Sequence, residues 1–416
     1  MRDGRSVLIS GAGIAGAALA YWLRRYGFDV TVLERTGALR DSGQNVDVRG
    51  AGRQVIRRMG LEELVARAGT GEVGARFVDE RGATVAEFPV SSGHGEGATA
   101  ELEILRGELV RLLVGDTSGY MFGDQIKAVS EQAERVRVTF EHATQRSFDL
   151  VIIAEGIASR TRRLVFGDEV RLRDLGQYIA FGTIPRTPED DMWWRWFSPG
   201  RGRAVMLRPD NVGTTRALLA FLCDARGYED LDRARVIDVL RQHFADAGWQ
   251  AERILAGLAD EASDLYLQRT AQVFAPHWSR GRIALIGDAA HCPSPVSGMG
   301  TSLALTGAYV LAGELAKQPD HRSAFASYER LLRPYVARAQ KLPPGAPRLA
   351  NPKSKLGVRI LRAGLRLAAT NPLRTLGNRL FTPPSETFNL PDYASSQSDE
   401  QRPAALSGGA LRDHRG

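Results

Sequence analysis

The chain has 416 residues, 43% hydrophobic and 25% charged, which suits a globular protein of two or three domains with sizeable cores. No apolar run reaches the roughly 18 residues that span a bilayer, and MRDGR leads straight into a predicted strand rather than a secretory leader. Cys223 and Cys292 match no zinc or redox spacing, and the net charge of +7 rests on 50 Arg against 5 Lys with no nucleic-acid-binding motif beside it. The expectation is a cytoplasmic protein without disulfides or a nucleic-acid partner, as a monomer or weak homodimer.

Residues 7–10 form a short apolar run ended by glycine, as a buried parallel strand requires. Gly11-Ala12-Gly13-Ile14-Ala15-Gly16 follows, then a helical pattern over 17–25, then a second strand over 28–33 closed by Glu34 and Arg35. Gly11 permits a tight turn, Gly13 lets the backbone approach a pyrophosphate, and Gly16 lets the helix pack closely on the strand. The helix start, with Ile14 and Ala15, meets phosphates with free N–H groups and a positive dipole end. Glu34, about 20 residues on, accepts ribose hydroxyls and repels a 2′-phosphate. A second glycine pattern, Gly69-Thr70-Gly71-Glu72-Val73-Gly74, follows a helical stretch over 61–68 instead of a strand and reads as a loop.

Residues 132–141 alternate as a strand and 148–154 read as a buried one. Residues 178–184, 204–208 and 216–222 read as strands of an antiparallel sheet, joined by 84–89, with a helix over 231–247 on that layer. The run from Trp193 to Phe197 either lines a cavity or packs the sheet, and packing is favoured.

Residues 283–286 form another buried-strand run, ended by Gly287 and Asp288 at the position where open α/β sheets bind ligands. Asp288 can accept ribityl hydroxyls; the alternative is a helix N-cap. Pro293 and Pro295 stiffen the loop, and Gly298-Met299-Gly300-Thr301-Ser302 opens a long helix through residue 315 whose first N–H groups suit the anionic edge of a reduced flavin. His291 reads as orienting the loop by hydrogen bonding, and Cys292 as a small buried hydrophobe. Two grips this far apart describe one extended ligand, FAD.

A linker at 343–347 precedes a helix whose residues Gly357, Ile360, Leu361, Gly364, Leu365 and Ala368 form one stripe opposite Arg359, Arg362 and Arg366. A brace across two domains is favoured over a membrane-surface helix. Residues 394–416 are expected to be disordered.

These segments resemble the class A flavoprotein monooxygenases of the para-hydroxybenzoate hydroxylase fold family. GAGIAG…LER at 11–35 is similar to the first fingerprint, GDAAHCPSPVSGMG at 287–300 to the second, with Pro295, Gly298 and Gly300 in place, and DLVIIAEGIASRTR at 149–162 to the third. Glu155 replaces that third motif's aspartate, Ile153 its first glycine, and Ser302 stands where many members carry Asn. In the family the third motif is tied to FAD and the pyridine nucleotide, so Glu155 is expected at the cofactor and nicotinamide handling is put in doubt. GQNVDVRG at 43–50 looks like the branch of tetracycline-inactivating and polyketide-tailoring hydroxylases. In relatives this strand runs beside the isoalloxazine, so Asn45, Asp47 and Arg49, which share a face, are expected at the flavin; a solvated face is the alternative. Glu103-to-Leu109 resembles a segment whose arginine approaches the FAD phosphates, which would be Arg106, otherwise an exposed arginine at a helix start.

The resemblance implies an α/β fold: a Rossmann-like FAD-binding domain (1–75, 100–170 and 271–340), an antiparallel-sheet substrate domain (76–99 and 171–270) and a C-terminal helical brace (350–382). It further implies an FAD-dependent monooxygenase. NADPH or NADH would be the transient reductant, favoured by the mildly basic surface. O₂ would add to the flavin as a C4a-hydroperoxide, and an aromatic or polyketide-like small molecule, as in antibiotic biosynthesis or resistance, would be hydroxylated. No catalytic side chain or metal site is singled out, because the flavin carries the chemistry. Baeyer–Villiger oxygenation is the alternative. A halogenase reading draws on Trp194-x-Trp196-x-x-Pro199, but it needs a lysine near the flavin and none occurs before Lys127.

Overall fold

The computed structural model describes residues 4–40, 43–90, 102–370 and 388–393. The tail at 394–416, residues 371–382 of the expected brace and 91–99 of the expected substrate domain lie outside the described residues.

The first strand, Ser6–Ser10, is flanked by Asp29–Glu34 and Leu150–Ile153 in a six-stranded sheet. Tyr120–Phe122 and Ile283–Leu285 continue it in parallel, and Ser279–Arg280 adds an antiparallel edge. Parallel strands are covered on both faces, which is why these segments read as unbroken apolar runs. Helices Ile14–Arg25 and Gly300–Lys317 pack on each other in this core. Gly307 lies 3.7 Å, at its Cβ position, from Ile286, so helix Gly300–Lys317 packs closely at the end of strand Ile283–Leu285.

The expected strand over 148–154 is two strands, Arg146–Phe148 and Leu150–Ile153, separated at Asp149, whose carboxylate accepts the Ser6 N–H and hydroxyl at 2.7 Å each. The strand expected over 132–141 begins only at Val136–Phe140, because 132–135 makes the hairpin turn from Ile126–Glu131.

The second layer is a seven-stranded sheet in the order Tyr266–Phe274, Arg171–Pro185, Thr214–Leu222, Arg203–Pro209, Trp193–Gly200, Gly74–Val78, Thr84–Pro89. All its pairings are antiparallel except that between Trp193–Gly200 and Gly74–Val78. Strands Gly74–Val78 and Tyr266–Phe274 thus run across the residue numbers at which the sequence suggested cutting the chain. One face of the sheet is covered by helices Arg233–Phe244 and Ala251–Ala259. The other carries Ile179, Phe181, Met206 and Leu218, with Trp194, Trp196 and Tyr266 packed on them. A ribbon of Asn45–Asp47 against Glu103–Leu105 connects the layers.

Helix Lys355–Ala368 lies on strands Thr84–Pro89 and Trp193–Gly200. Its roll differs from the predicted stripe. Leu361, Leu365 and Ala368 pack on Phe77, Ala86 and Phe88, and Val358 is buried, but Ile360 and Gly364 face outward. These apolar contacts and the seat of Val358 against Gly200 set this rotation, and Arg362 pairs with Glu80 at 3.1 Å at its edge. Residues 388–393 return to the first layer, where Phe388 stacks on Tyr335 and Tyr393 donates to Glu314 at 2.7 Å.

Candidate cofactor and substrate site

The glycine loop is built as its spacing requires. Gly11 has φ +109°, and a Cβ there would stand 2.5 Å from the Ala154 carbonyl oxygen. A Cβ on Gly16 would overlap the carbonyl oxygen of Gly11. Gly13 caps the helix that begins at Ile14, leaving the first N–H groups without side-chain capping. Glu34 ends its strand with Oε2 accepting the Ala12 N–H at 3.0 Å and Oε1 accepting the Thr36 N–H and hydroxyl. It holds the loop, and it keeps acceptor capacity for ribose hydroxyls because each carboxylate oxygen has two lone pairs. Exposed Arg35 lines a cavity of about 390 Å³ with Thr36, Gly123, Asp124, Gln125, His142 and Arg160. Apart from Arg35, sequence reasoning did not find this wall, whose members come from four separate segments.

The second motif comes to the first across the sheet. The Ile286 N–H bonds the Ile153 carbonyl at 3.0 Å, and Gly287 (φ +60°) brings its Cβ position 2.8 Å from the Ala15 Cβ. Asp288 opens the short helix Asp288–His291. The Cβ position of Gly300 is 3.9 Å from Asp288 Oδ1, so the carboxylate lies beside the start of helix Gly300–Lys317, where half-buried Thr301 follows. Pro295 begins a 3₁₀ turn that Gly298 (φ +65°) closes. Arg106 spans the gap between motifs: its stem packs under Gly43 and Nη2 reaches 3.7 Å from the Cβ position of Gly13. Desolvation raises the Asp288 carboxyl above its ordinary range, and the Arg106 cation opposes that shift.

Other expected residues turn inward. Glu155 accepts from Ser10 Oγ (2.5 Å), Ser159 Oγ (2.7 Å), Thr161 N (3.0 Å) and Thr161 Oγ1 (2.5 Å). Four protein donors make it a positioning residue for the turn under Gly11. The Ser302 hydroxyl accepts the Arg49 N–H and donates to the Arg49 carbonyl, both at 3.0 Å, so it ties two helix starts together instead of facing a ligand. The Arg49 guanidinium pairs with Asp47 at 2.9 Å. Asn45 donates to Glu103 at 2.5 Å and to the Pro209 carbonyl at 2.9 Å, while its Oδ1 and that of Asp47 are buried without a hydrogen-bond partner among the described residues, so the ribbon's polar face is not solvated: it meets the seven-stranded sheet.

That junction contains an ion cluster the sequence did not reveal. Arg208 makes two hydrogen bonds to Glu72 (2.9 and 3.1 Å) and an ion pair with Glu103 (2.9 Å), which also accepts from Thr70. Burial pushes the Glu72 carboxyl well up, against the pull of Arg208. Burial disfavours the Arg208 cation too, but Glu103 and Glu72 outweigh it. Glu72 lies in the second glycine pattern, so that loop is a brace, with its partner 136 residues away.

His291 does not orient its loop by side-chain bonding. Neither ring nitrogen has a partner, the ring packs 4.7 Å from Trp278, and burial holds it down to about 4, hence neutral. The loop is held by Gln340, whose Nε2 donates to the carbonyls of Val273 (2.8 Å), His291 (3.4 Å) and Cys292 (3.3 Å). Cys292 is buried, with its thiol pushed well up chiefly by burial. The Trp193-to-Phe197 run is both packing and wall: Trp196 stacks on Phe77 at 5.7 Å and Arg208 lies 4.5 Å over Trp194, on the sheet face toward the ribbon. Tyr266 on the same face donates to Gln44. Lys127 is exposed on the separate three-stranded sheet.

The residues fit FAD. Glycines leave room for a pyrophosphate, two helix starts and Arg106 present positive ends, and Glu34 and Asp288 carry carboxylates able to accept hydroxyls at either side. Residues 5–341 match the FAD binding domain family. The chain is 38% identical over 421 residues to the flavin-dependent monooxygenase eupH of Phoma sp, covering 93% of this chain and 97% of that protein. It is 40% identical over 354 residues to the uncharacterized protein Rv1260 of Mycobacterium tuberculosis, covering 82% and 95%. Among solved structures, tetracycline destructase Tet(51) superposes with TM-score 0.78 at 30% identity, covering 94% of this chain and all of that one. Klebsiella pneumoniae HpxO, complexed with FAD and uric acid, shares the fold with TM-score 0.71 at 22% identity, covering 91% and 97%. The chain belongs to the FAD binding domain family and is a class A FAD-dependent monooxygenase, similar in sequence and fold to a tetracycline destructase.

Proposed function

We propose that the protein uses NADPH or NADH, transiently bound, to reduce FAD and then transfers one oxygen atom of O₂ to an electron-rich aromatic or polyketide-like small molecule. In balance, substrate C–H, O₂, NAD(P)H and a proton become C–OH, NAD(P)⁺ and water. When bound, FAD supplies the electron transfer and the activation of O₂. The chain's own residues do the rest. Arg106 and the start of helix Ile14–Arg25 would hold the pyrophosphate, and the start of helix Gly300–Lys317 would favour negative charge on the flavin.

One observation carries the substrate reading: the sheet face opposite the helices is aromatic and apolar, with Phe181, Met206, Trp194, Trp196 and Tyr266, and it faces the ribbon beside Arg106. Such a face accepts a flat ring and excludes water from the reacting oxygen. The relatives support the class, since eupH is named as a flavin-dependent monooxygenase and Tet(51) as a tetracycline destructase. The test is the FAD-loaded protein with NADPH or NADH under ¹⁸O₂, with and without a panel of phenols and anthraquinones. Nucleotide oxidation stimulated by one of them, with one ¹⁸O in the product, is expected. Oxidation that no aromatic compound accelerates, with no labelled product, overturns the proposal.

A further inference from the structure

Helix Lys355–Ala368 has a second apolar face. Leu356, Ile360, Ala363 and Leu367 recur at spacings of four, three and four, one line along a helix. That line points away from the sheet: Leu356 is 65% exposed, Ile360 64% and Leu367 60%, and Leu349 in the preceding short helix is 65% exposed. These four are among ten exposed large hydrophobics of the described residues, and the other six are spread over residues 64–296. A contiguous row of this kind is a docking feature, unlike scattered single residues.

Charge selects the partner. Beside the row lie exposed Lys355, Arg359 and Arg366, with exposed Arg348 and Lys353 just before the helix. From residue 330 to 385 the sequence holds twelve Arg or Lys and no Asp or Glu, so the remainder of the chain is net negative. A second copy meeting this face would set like charges together, and nucleic acid would leave the leucines wet. A surface with phosphates over an apolar layer satisfies both rows.

We propose that helix Lys355–Ala368 docks the protein on anionic lipid bilayers, with Leu356, Ile360 and Leu367 in the boundary between headgroups and acyl chains and the basic row among the phosphates. The helix lies flat, because its other side is packed on strands Thr84–Pro89 and Trp193–Gly200. No helix among the described residues is long and apolar enough to cross a membrane. This inference is independent of the substrate.

The test is co-sedimentation of the full-length FAD-loaded protein with vesicles of phosphatidylcholine and phosphatidylglycerol (7:3) or phosphatidylcholine alone. Binding to the anionic vesicles is expected, falling at least tenfold on neutral vesicles or in 0.5 M salt. Leu356→Ser/Ile360→Ser/Leu367→Ser should lower it at least tenfold with melting temperature and flavin content unchanged. Arg359→Glu/Arg366→Glu should abolish the preference for anionic lipid, and Leu164→Ser, an exposed leucine elsewhere, should change nothing. Three results overturn the proposal. They are absence of binding to anionic vesicles at low salt, binding the triple variant retains, and a dimer in sedimentation velocity that the triple variant dissolves.

Discussion

Replacing Arg106 by alanine should loosen FAD by about 10- to 100-fold and leave the fold intact. The side chain is exposed and its backbone N–H bonds the Gln44 carbonyl at 3.1 Å, a bond alanine keeps. Alanine is also a good first residue for helix Arg106–Val114. What is lost is a cation over the glycine loop. A hydrogen bond to a charged group is worth about 1.5–3 kcal/mol, and 1.4 kcal/mol is about tenfold in affinity. A second effect runs through Asp288. Desolvation raises its carboxyl and Arg106 opposes that rise, so in the variant Asp288 keeps its proton to higher pH. A protonated carboxyl is a poorer acceptor for ribityl hydroxyls. The variant's deficit should therefore grow as pH falls from neutrality toward the raised value. Equilibrium dialysis of FAD between pH 8 and 5.5 measures both effects, with Arg106→Lys expected between the two proteins. A dissociation constant within threefold of wild type, with native circular dichroism, would refute the assignment of Arg106 to the pyrophosphate.

Three further outcomes follow from the geometry. Burial lowers His291 from 6.5 to about 4, so the stability gained by keeping it neutral is present above pH 6.5 and lost as pH falls to about 4. At 1.36 kcal/mol per unit this is about 3 kcal/mol, and urea melts of His291→Phe against wild type at pH 7 and 4.5 should show it as a difference. Asp190 accepts from Thr187 N and Thr215 Oγ1 at 3.0 Å each and pairs with Arg253 and Arg195. Although burial works the other way, the Arg253 hydrogen bond leads the pull of its carboxyl well below the ordinary range. Asp190→Asn should cost about 3 kcal/mol by denaturant melts, because it leaves two arginines without their shared anion. Gly364 is helical, exposed and has nothing within 4 Å of its Cβ position, so Gly364→Ala should stabilise by about 0.5–1 kcal/mol in the same melts.

Local chemistry was legible in the sequence and long-range pairing was not. Gly11, Gly13 and Gly16 declare themselves because a turn and a helix start are set by neighbouring residues, and Asp288 does so because it ends an apolar run. The antiparallel sheet was readable from alternation, but strand Tyr266–Phe274 and helix Ala251–Ala259 were passed over. Nothing near Glu72 in sequence signals a buried carboxylate. Its meaning comes from Arg208, brought alongside by the pairing of strands. The roll of helix Lys355–Ala368 likewise follows from Phe77, Ala86 and Phe88, brought beneath it by the pairing of strands Gly74–Val78 and Thr84–Pro89, which no periodicity can report.

The three departures from the family's motifs share one physical character, and the structure gives it a test. Ile153 is wholly buried in the sheet, with its carbonyl bonded to the Ile286 N–H, so no close approach to a ligand needs a glycine there. Glu155 spends both oxygens on Ser10, Ser159 and Thr161. Ser302 spends its hydroxyl on the Arg49 backbone. At all three positions the bonds the structure shows are to the protein's own scaffold. Ser302→Asn, which restores the common residue, decides the matter. Ser302 is wholly buried and its hydroxyl is bonded to both the N–H and the carbonyl of Arg49, so a longer amide has to push its neighbours apart. Overpacking of this kind costs about 1–3 kcal/mol, and it should appear as a lowered melting temperature of the FAD-free protein. A variant that melts like wild type but binds FAD several-fold more tightly would mean that residue 302 faces the flavin after all.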